Sequence, residues 1–407
     1  MGDVAGDRGW ATFLVGGVVR DLLLGRPTKD LDLVVVGDAR KVAKIVARED
    51  GAKITEHTAF GTASIEFEDG LRVDLATARR ESYARPAALP STSPSNLIDD
   101  LARRDFSVNS MALDLSPAGF GAIIDPCGGR EDLRRGSIRV LHDRSFIDDP
   151  TRVFRALRFA SRLDFEIESG TASLMRQAIG SGLLDRLSAT RVRHEIHLLF
   201  EESEWPDLAG KLGGYGVWSA VEPSLGWRRG DGPRLERAEN WADWYGQIDG
   251  ADAVHRWALG LAVLAQPSTR RERERVVARL RPDRHDTSTL LDSSERAREI
   301  LRNLRAARHP RPSRVYGVCE GAAVTTCLLA LAETRPGAIR QAICAYLLRW
   351  RSVETDISGD DLMRAGVQAG PRVGVGLRAA LEAKLDGRAP DPTSQLTIGI
   401  HAARTRA

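Results

Sequence analysis

The amino-acid sequence predicts an α+β protein, in which a small head of mixed strands and helices precedes a long helical remainder. The head is indicated by short β-rich runs that alternate with two stretches of helical periodicity. We predict its strands at 12–15, 31–36, 64–67 and 71–77, and its helices at 18–23 and 38–49. From residue 149 onward nearly every segment has helical periodicity, beginning with helices at 149–163, 171–180 and 190–201.

The length and composition are those of a multidomain globular protein. The chain has 407 residues, of which 42% are hydrophobic and 28% are charged. A chain of this length is too long for one hydrophobic core, so we expect roughly two to four compact units. No long uncharged apolar run suggests a membrane span, and the first residues lack the basic-then-apolar layout of a signal peptide. We therefore expect a cytoplasmic location and no membrane partner.

The cysteines and the charge narrow the classes of chemistry further. Four cysteines form no CxxC pair and have no histidine at metal spacing, which argues against a disulfide framework and a zinc site. The net charge is only +3, but arginine greatly outnumbers lysine. Because the guanidinium group suits phosphates and base edges better than an ammonium group does, this composition is compatible with an RNA partner.

Two aspartates in the second predicted strand are the first candidate site. Asp30 and Asp32 are two positions apart, so in a strand their side chains point to the same face. Two such carboxylates can hold hard divalent cations. Asp74 lies in a later strand and is a candidate third carboxylate. A bare DxD is more often a pair of solvated charges, and it is the glycine turn before it that favours a catalytic interpretation.

That turn is formed by Gly16 and Gly17, between the first strand and the first helix. Free amide groups at such a junction, together with the positive end of the helix, make an anion site. Arg20, one helical turn later, adds a fork of donors suited to a triphosphate. The alternative is an ordinary glycine turn in which Arg20 pairs with Asp21, and the GxxxxGK[ST] phosphate loop is missing.

The helix predicted at 149–163 is the third candidate. Asp149 and Pro150 are suited to its start, and four arginines share one face of it, opposite its core face. These are Arg152, Arg155, Arg158 and Arg162. A carboxylate can accept a hydrogen bond from the exocyclic amine of cytosine or adenine, and a guanidinium can donate to the ring acceptors of both bases. The alternative is a surface helix with aspartate–arginine pairs.

Two further segments complete the pattern. Residues 79–98 are rich in Arg, Pro and Ser without an apolar period, and we predict a flexible loop there. Arg103 and Arg104 precede an apolar run. They are suited to bind phosphates, although a charged helix start is an equal alternative.

Four segments in register resemble the class II tRNA nucleotidyltransferase and bacterial poly(A) polymerase family. They are GGVVRDLLLGRPTKDLDLVVVG, DLATARRESYARPAALP, DLARRDFSVNSMALDL and RVLHDRSFIDDPTRVFRALRFASRLDF. The similarity runs over about residues 13–200, with a weaker segment near 357–374. It implies a polymerase-β-like nucleotidyltransferase head made of a mixed sheet plus helices, followed by an all-helical neck, body and tail.

The resemblance also assigns roles to residues. It implies that Asp30 and Asp32 hold two Mg²⁺ ions and that Gly17 and Arg20 bind the nucleotide. The segment RRDFSVN is similar to the family's RRDFTxN motif, which gives Arg103, Arg104, Asp105 and Asn109 nucleotide contacts. Asp149 and Arg152 correspond to the base selector, with Arg155 and Arg158 as further nucleotide contacts. One departure is Asp148, which stands where the family usually has Glu.

We therefore predict four parts: a head at 1–140 with a flexible loop at about 79–98, a base-selecting neck at 141–205, a body at 206–330, and a tRNA-binding tail at 331–407. The expected function is template-independent addition of CMP and AMP, from CTP and ATP, to the 3′ end of tRNA. An enzyme that adds only A to tRNA ending in CC is almost equally compatible, followed by a poly(A) polymerase. An RNA-binding protein with an inactive head is the non-enzymatic alternative. A monomer and a homodimer are both compatible with the sequence.

Overall fold

The computed structural model describes residues 1–28, 30–57, 61–306 and 310–405, and of Asp30 it describes only the backbone. These residues form two compact units, Met1–Val221 and Glu222–Ala407. Strands occur in the first unit, together with helices, whereas the described part of the second unit is helical. This agrees with the predicted α+β class.

The strands of the first unit are β1 (Ala11–Val15), β2 (Asp30–Val36), β3 (Lys53–His57), β4 (Thr62–Glu66), β5 (Arg72–Thr77), β6 (Arg79–Ser82), β7 (Ser91–Pro94), β8 (Ala112–Asp114), β9 (Ile123–Ile124), β10 (Ser137–Ile138) and β11 (Glu166–Ile167). Seven of them form one sheet in the order β3-β4-β5-β2-β1-β8-β9. β2 and β5 run parallel, and the other pairs in this sheet are antiparallel, so the sheet is mixed as predicted.

The helices of the first unit are α1 (Gly2–Gly6), α2 (Gly17–Leu23), α3 (Ala39–Glu49), α4 (Leu97–Ala102), α5 (Gly129–Arg135), α6 (Ser145–Asp148), α7 (Arg152–Leu163), α8 (Ser169–Gly180), α9 (Ala189–Phe200), α10 (Trp205–Gly214) and α11 (Val217–Val221). The short parallel pair β10-β11 interrupts the predicted all-helical neck, because Glu166–Ile167 pairs with Ser137–Ile138.

The alternation of side chains along β2 packs both faces of the sheet. Leu33 and Val35 belong to the apolar cluster that also contains the buried face of α3, whereas Val34 belongs to a second cluster with Phe13 and Val15 of β1. Because side chains alternate along a strand, Asp32 lies on the same face as Val34. β2 is therefore packed on both faces, and it carries the Asp32 carboxylate on the same face as Val34.

The segment 79–98, where we predict a flexible loop, contains regular structure near both of its ends. β6 and β7 pair antiparallel, with Arg79 opposite Pro94 and Ser82 opposite Ser91, and α4 begins at Leu97. The ribbon consists almost entirely of polar residues and covers no large apolar surface, so it leaves no alternating apolar pattern in the sequence. Its stability depends on contacts with residues far away in the chain.

The second unit contains α12 (Asp231–Gly246), α13 (Arg256–Leu264), α14 (Arg270–Leu280), α15 (Arg284–Arg305), α16 (Pro312–Cys319), α17 (Val324–Ala332), α18 (Ala338–Ala345), α19 (Gly359–Arg364), α20 (Pro371–Leu385) and α21 (Pro392–Thr405). Among the described residues, no single helix has the length and apolarity needed to cross a bilayer. One sharply bent pair, Pro312–Cys319 with Val324–Ala332, meets those two criteria jointly.

Candidate functional site

The first unit contains a polar cavity of about 550 Å³ that collects most of the predicted site residues. From the predicted set, its lining includes Gly16, Gly17, Arg20, Asp32, Arg103, Arg104, Asp105, Asn109, Asp149, Arg152 and Arg155. These residues come from β2, α2, α7 and the segment after α4. Segments that lie far apart in the chain therefore meet at one site.

The carboxylates of the sheet are the first component. Asp32 is exposed and lines the cavity, and in the parallel register of β2 and β5 it lies directly beside Asp74. Asp74 does not belong to the cavity lining; it accepts hydrogen bonds from Ser64 Oγ and, at 3.3 Å, from Arg72 Nη2. Asp30 begins β2, and its carboxylate lies outside the described part of the chain.

The glycine turn between β1 and α2 is the second component. Gly16 caps α2 with φ +74° and ψ −135°, a backbone conformation that is essentially restricted to glycine. A Cβ atom on Gly16 would lie 2.8 Å from Nη1 of Arg104. Glycine is therefore required here both for the conformation of the turn and for the close approach of a guanidinium group to the backbone.

We predict that Gly16→Ala lowers the free energy of unfolding by about 1–3 kcal/mol, because the new side chain strains the turn and displaces Arg104. The matched control is Gly180→Ala at the end of α8, where an added Cβ has no neighbour within 4 Å. Urea unfolding of both variants measures the difference. Equal stability of the two variants would show that the turn tolerates a side chain and that its geometry is not glycine-dependent.

Arg20 is held more tightly than the sequence suggested. It is buried, its Nε and Nη2 atoms each donate to the carboxylate of Asp21 at 2.9 Å, and its Nη1 donates to Asn109 Oδ1 at 2.7 Å. The pairing with Asp21 is thus the alternative that the sequence left open. Arg20 lines the cavity, and each of its three nitrogens donates one hydrogen bond to the protein.

A hydrogen-bond chain continues from Asn109 to α7. Asn109 Nδ2 donates to Asp105 Oδ1 at 3.0 Å, and Arg155 Nε donates to Asp105 Oδ2 at 2.9 Å. Burial alone would raise the pKa of Asp105, but the attraction of Arg155 and the bond from Asn109 hold this pKa below its ordinary value. Asp105 is therefore ionised, and it fixes Arg155 at the cavity wall.

A second buried carboxylate organises the arginine pair after α4. Asp100 is fully buried; its Oδ1 accepts from Arg103 Nη2 at 2.8 Å and from the backbone N–H of Arg79 at 3.2 Å. Its Oδ2 accepts from Arg104 Nη2 at 2.9 Å. The Nε atom of Arg104 is buried and has no hydrogen-bond partner among the described residues. Asp100 therefore positions two cavity arginines, and one of them retains an unused donor.

At the start of α7, Asp149 and Arg152 both contact other parts of the protein. Asp149 Oδ1 accepts from the backbone N–H of Thr151 at 3.0 Å and from Arg191 Nη2 at 2.6 Å. Arg152 is buried, and its Nη2 donates to the backbone carbonyl of Arg103 at 2.8 Å. The selector pair is thus fixed by α9 on one side and by the segment after α4 on the other.

Of the four arginines predicted to share one face of α7, Arg152, Arg155 and Arg162 line the cavity, and Arg152 is buried there. Arg158 does not line the cavity; its Nη1 donates to Glu195 Oε2 of α9 at 2.9 Å. Burial lowers the pKa of Arg158 and raises that of Glu195, so for each partner desolvation outweighs their attraction. The pair therefore fixes the orientation of α7 and α9 more than it adds stability.

Several cavity residues were not predicted from the sequence. Tyr83 and Glu81 belong to the ribbon, where Tyr83 Oη donates to Glu81 Oε2 at 3.0 Å and Arg103 Nη1 donates to Glu81 Oε1 at 2.8 Å. Phe159 has the guanidinium groups of Arg20 and Arg155 each 5.4 Å from its ring centre. The remaining ones are Val18, Asp21, Thr28 and Pro90. In the sequence, Phe159 cannot be distinguished from an ordinary core aromatic, whereas the RESYARP segment does draw attention to Glu81 and Tyr83.

Comparison with known proteins relates the chain to nucleotidyltransferases. Residues 12–139 match the model of the Poly A polymerase head domain. An A-adding tRNA nucleotidyltransferase of Geobacter sulfurreducens is 34% identical over 99% of this chain and 46% of its own length. Another, of Halalkalibacterium halodurans, is 45% identical over 54% of this chain and 52% of its own length. The chain thus spans about half the length of these curated relatives.

Solved structures extend the similarity to nearly the whole chain. A CCA-adding enzyme in its apo form II superposes with a TM-score of 0.88 at 33% identity, covering 97% of this chain and 92% of that one. The Thermotoga maritima CCA-adding enzyme complexed with tRNA gives a TM-score of 0.81 at 32% identity, over 98% of this chain and 93% of the other. The fold is that of nucleotidyltransferases with a poly(A)-polymerase head. Within that class, the chain belongs to the class II tRNA nucleotidyltransferase family.

Proposed function

We propose that this chain transfers CMP or AMP from CTP or ATP to the 3′ end of tRNA without a nucleic-acid template. The observation that carries the proposal is one cavity that joins the Asp32 carboxylate, the Gly16 turn with its arginines, and the Asp149–Arg152 pair. Such a reaction needs a carboxylate that binds metal ions, cationic groups that bind the triphosphate, and hydrogen-bond donors and acceptors that recognise the base. The names of the relatives support the same substrates.

The acidic end of β2 fits magnesium. Asp32 presents a carboxylate to the cavity, and carboxylate oxygens are the donors that this hard cation prefers. Asp30 and Asp32 are the proposed ligands of two Mg²⁺ ions, and Asp74, beside Asp32 in the sheet, is the candidate third carboxylate. When bound, the metal ions supply Lewis-acid stabilisation of the charge on the reacting phosphate and of the attacking 3′-oxygen.

The triphosphate is assigned to the glycine turn and the arginine pair. The first amide groups of α2 have no helical acceptor, and Nη1 of Arg104 lies beside Gly16. Arg103 lies next to it on the same buried carboxylate. Arg20 contributes positive charge at this site, and through Nη1 it positions Asn109.

The base is assigned to Asp149 and Arg152. The bonds from Thr151 and Arg191 both fall on Oδ1 of Asp149, so its Oδ2 is the atom that would accept from the exocyclic amine of cytosine or adenine. Arg191 Nη1 also donates to the backbone carbonyl of Ala87, between β6 and β7, at 3.0 Å. A single arginine therefore connects the base-reading carboxylate to the ribbon that borders the cavity. Arg155 supports the site through Asp105, and Arg158 supports it through Glu195.

We predict that Arg152→Ala relaxes discrimination against GTP and UTP by about 10-fold or more, while it lowers turnover with the preferred nucleotide less. The physical reason is the loss of a donor that reads a base edge, with the metal ligands left in place. Single-nucleotide incorporation with each of the four triphosphates gives the ratio of kcat/KM values.

The control for Arg152 is Arg144→Ala. Arg144 is an exposed arginine that pairs with Asp148 a short distance upstream and does not line the cavity. Its removal should leave the nucleotide preference unchanged. An unaltered preference in Arg152→Ala as well would refute the base-reading role.

A second candidate function is addition of A alone to tRNA that already ends in CC. It is favoured by a specific observation: the relative that aligns with 99% of this chain is an A-adding enzyme. Incubating the protein with tRNA that ends at the discriminator base, at C or at CC, with CTP and ATP separately and together, distinguishes the two. Extension of the CC substrate alone would identify an A-adding enzyme, and extension of all three would identify a CCA-adding enzyme. No extension of any of them would contradict both.

The remaining assignments are part of the same proposal. The base-selecting function belongs to residues 141–205, and the tRNA is held by the helical tail at 331–407, where α20 begins at a Gly370–Pro371 turn. Proline in the first helical turn leaves the neighbouring amide groups available to an RNA phosphate. The proposed location of this activity is the cytoplasm, where tRNA is processed.

A further inference from the structure

Three metal-binding side chains meet in the second unit at the start of α15. They are His255, which precedes α13, and His285 and Asp286 in the first turn of α15. One potential ligand atom from each of the three residues lies within 4.8 Å of the others. His255 Nδ1 is 2.8 Å from Asp286 Oδ1, and the two imidazole rings are 5.3 Å apart with an angle of 75° between their planes.

The burial of the three groups differs in a way that suits a cation site. The two imidazoles are exposed and can be approached from solvent, whereas Asp286 is only 3% exposed. A buried carboxylate needs a positive partner, and a proton on His255 or a metal ion can supply one. In an imidazole-rich site, a partner carboxylate also fixes the orientation of the ring that binds the ion.

The electrostatics of the helix start have two opposing contributions. The positive end of α15 disfavours a cation, but Asp283 caps this helix through the backbone N–H of Asp286 at 2.9 Å and adds a second carboxylate.

We propose that His255, His285 and Asp286 bind one divalent transition-metal ion of the Zn²⁺ class, with water completing the coordination. Two imidazoles and one carboxylate form a donor set that suits zinc, nickel or copper and does not suit magnesium. In a tetrahedral zinc site with bonds of about 2.1 Å, the ligand atoms are about 3.4 Å apart. The three potential ligand atoms here lie within 4.8 Å of one another, so zinc binding requires their largest separation to shorten by up to about 1.4 Å. Rotation of an exposed histidine side chain provides that movement. The function of the head does not enter into this proposal.

Nothing in the sequence indicated this cluster. His255 and Asp286 are 31 positions apart, and no histidine lies at metal spacing from a cysteine. The expectation that the chain lacks a zinc site was based on spacing along the chain. The structure brings the three ligands together by packing α13 against α15.

The test is a calorimetric titration of the untagged full chain with ZnCl₂, in excess Mg²⁺ so that the carboxylates of the head are occupied by the hard ion. The expected result is one Zn²⁺ per chain and a higher melting temperature in Zn²⁺ than in chelator. His255→Ala combined with His285→Ala should lower the affinity by about 100-fold or more, since each lost contact costs about 10-fold.

His401→Ala is the matched control, because His401 is an exposed histidine on α21 of the same unit. It should bind Zn²⁺ like the unmodified chain. Melting in chelator establishes that each variant is folded, and His285→Gln replaces the double variant if the latter is not. Absence of saturable binding to the unmodified chain would overturn the proposal. Equal affinity in the double variant, or loss of binding in His401→Ala, would do so as well.

Discussion

Replacing Asp32 by Asn is expected to lower the rate of nucleotide incorporation on the order of 1000-fold or more, while the protein remains folded and binds tRNA. Asp32 is exposed on the cavity wall and its neighbours in β2 form the sheet core, so an isosteric change there costs little stability. What it removes is a negative charge that a hard divalent cation requires, and several kilocalories per mole of transition-state stabilisation are lost with it.

Single-turnover incorporation of labelled AMP into tRNA ending in CC measures this loss, and fluorescence anisotropy of labelled tRNA measures binding. Asp50→Asn is the matched control, since Asp50 is an exposed aspartate at the end of α3 that does not line the cavity. It should retain full activity. If Asp32→Asn stays within about 10-fold of the unmodified rate, Asp32 is not a metal ligand and the catalytic assignment fails.

The parts of the site that the sequence predicted well are those that depend on neighbouring residues. Asp32 follows from the alternation of side chains in one strand, and the turn follows from Gly16 and Gly17 between a strand and a helix. Each of these two features depends on fewer than about ten consecutive residues, and neither changes when the strand becomes part of a sheet. For the same reason the mixed sheet and the helical remainder were predicted correctly.

The parts that were missed depend on residues far apart in the chain. Arg158 shares a helical face with Arg155, yet it is buried because Glu195, 37 positions later, lies opposite it. The β6–β7 ribbon lacks an apolar period, and its loop is tied down by Arg191, 104 positions from Ala87. Periodicity gives the direction of a side chain but not the identity of the surface that it meets.

Arg20 illustrates how the two kinds of information combine. The sequence left open whether its guanidinium binds a phosphate or Asp21, and the structure has the bidentate pair with Asp21. Its remaining nitrogen starts the chain of bonds through Asn109 and Asp105 to Arg155. Continuous hydrogen bonds therefore connect α2 to α7 along the cavity wall, which favours a cavity that is organised before a ligand enters.

Asp100→Asn is expected to have the second-largest effect, although Asp100 does not line the cavity. Its buried carboxylate holds Arg103 and Arg104, and removal of one partner from a buried ionic cluster costs about 3–5 kcal/mol. An asparagine would also direct an amide N–H group towards a guanidinium group. We expect a lower melting temperature. We also expect the KM for the nucleoside triphosphate to rise about 10-fold or more, because neither arginine is then held in its orientation towards the cavity.

The KM for the nucleoside triphosphate and the KM for tRNA are compared, because only a positioning role of Asp100 raises the first and leaves the second unchanged. A general loss of structure would affect both. Measured well below the melting temperature of the variant, the KM for tRNA should change little, since the arginine pair is assigned to the triphosphate. Asp99→Asn, on the same short helix, is the control: the Asp99 carboxylate accepts from Ser95 Oγ, and among the described residues it has no ion pair with either arginine, so this variant should behave like the unmodified chain. A nucleotide KM that stays within about twofold in Asp100→Asn would mean that Arg103 and Arg104 are positioned without it, or that they do not bind the triphosphate at all.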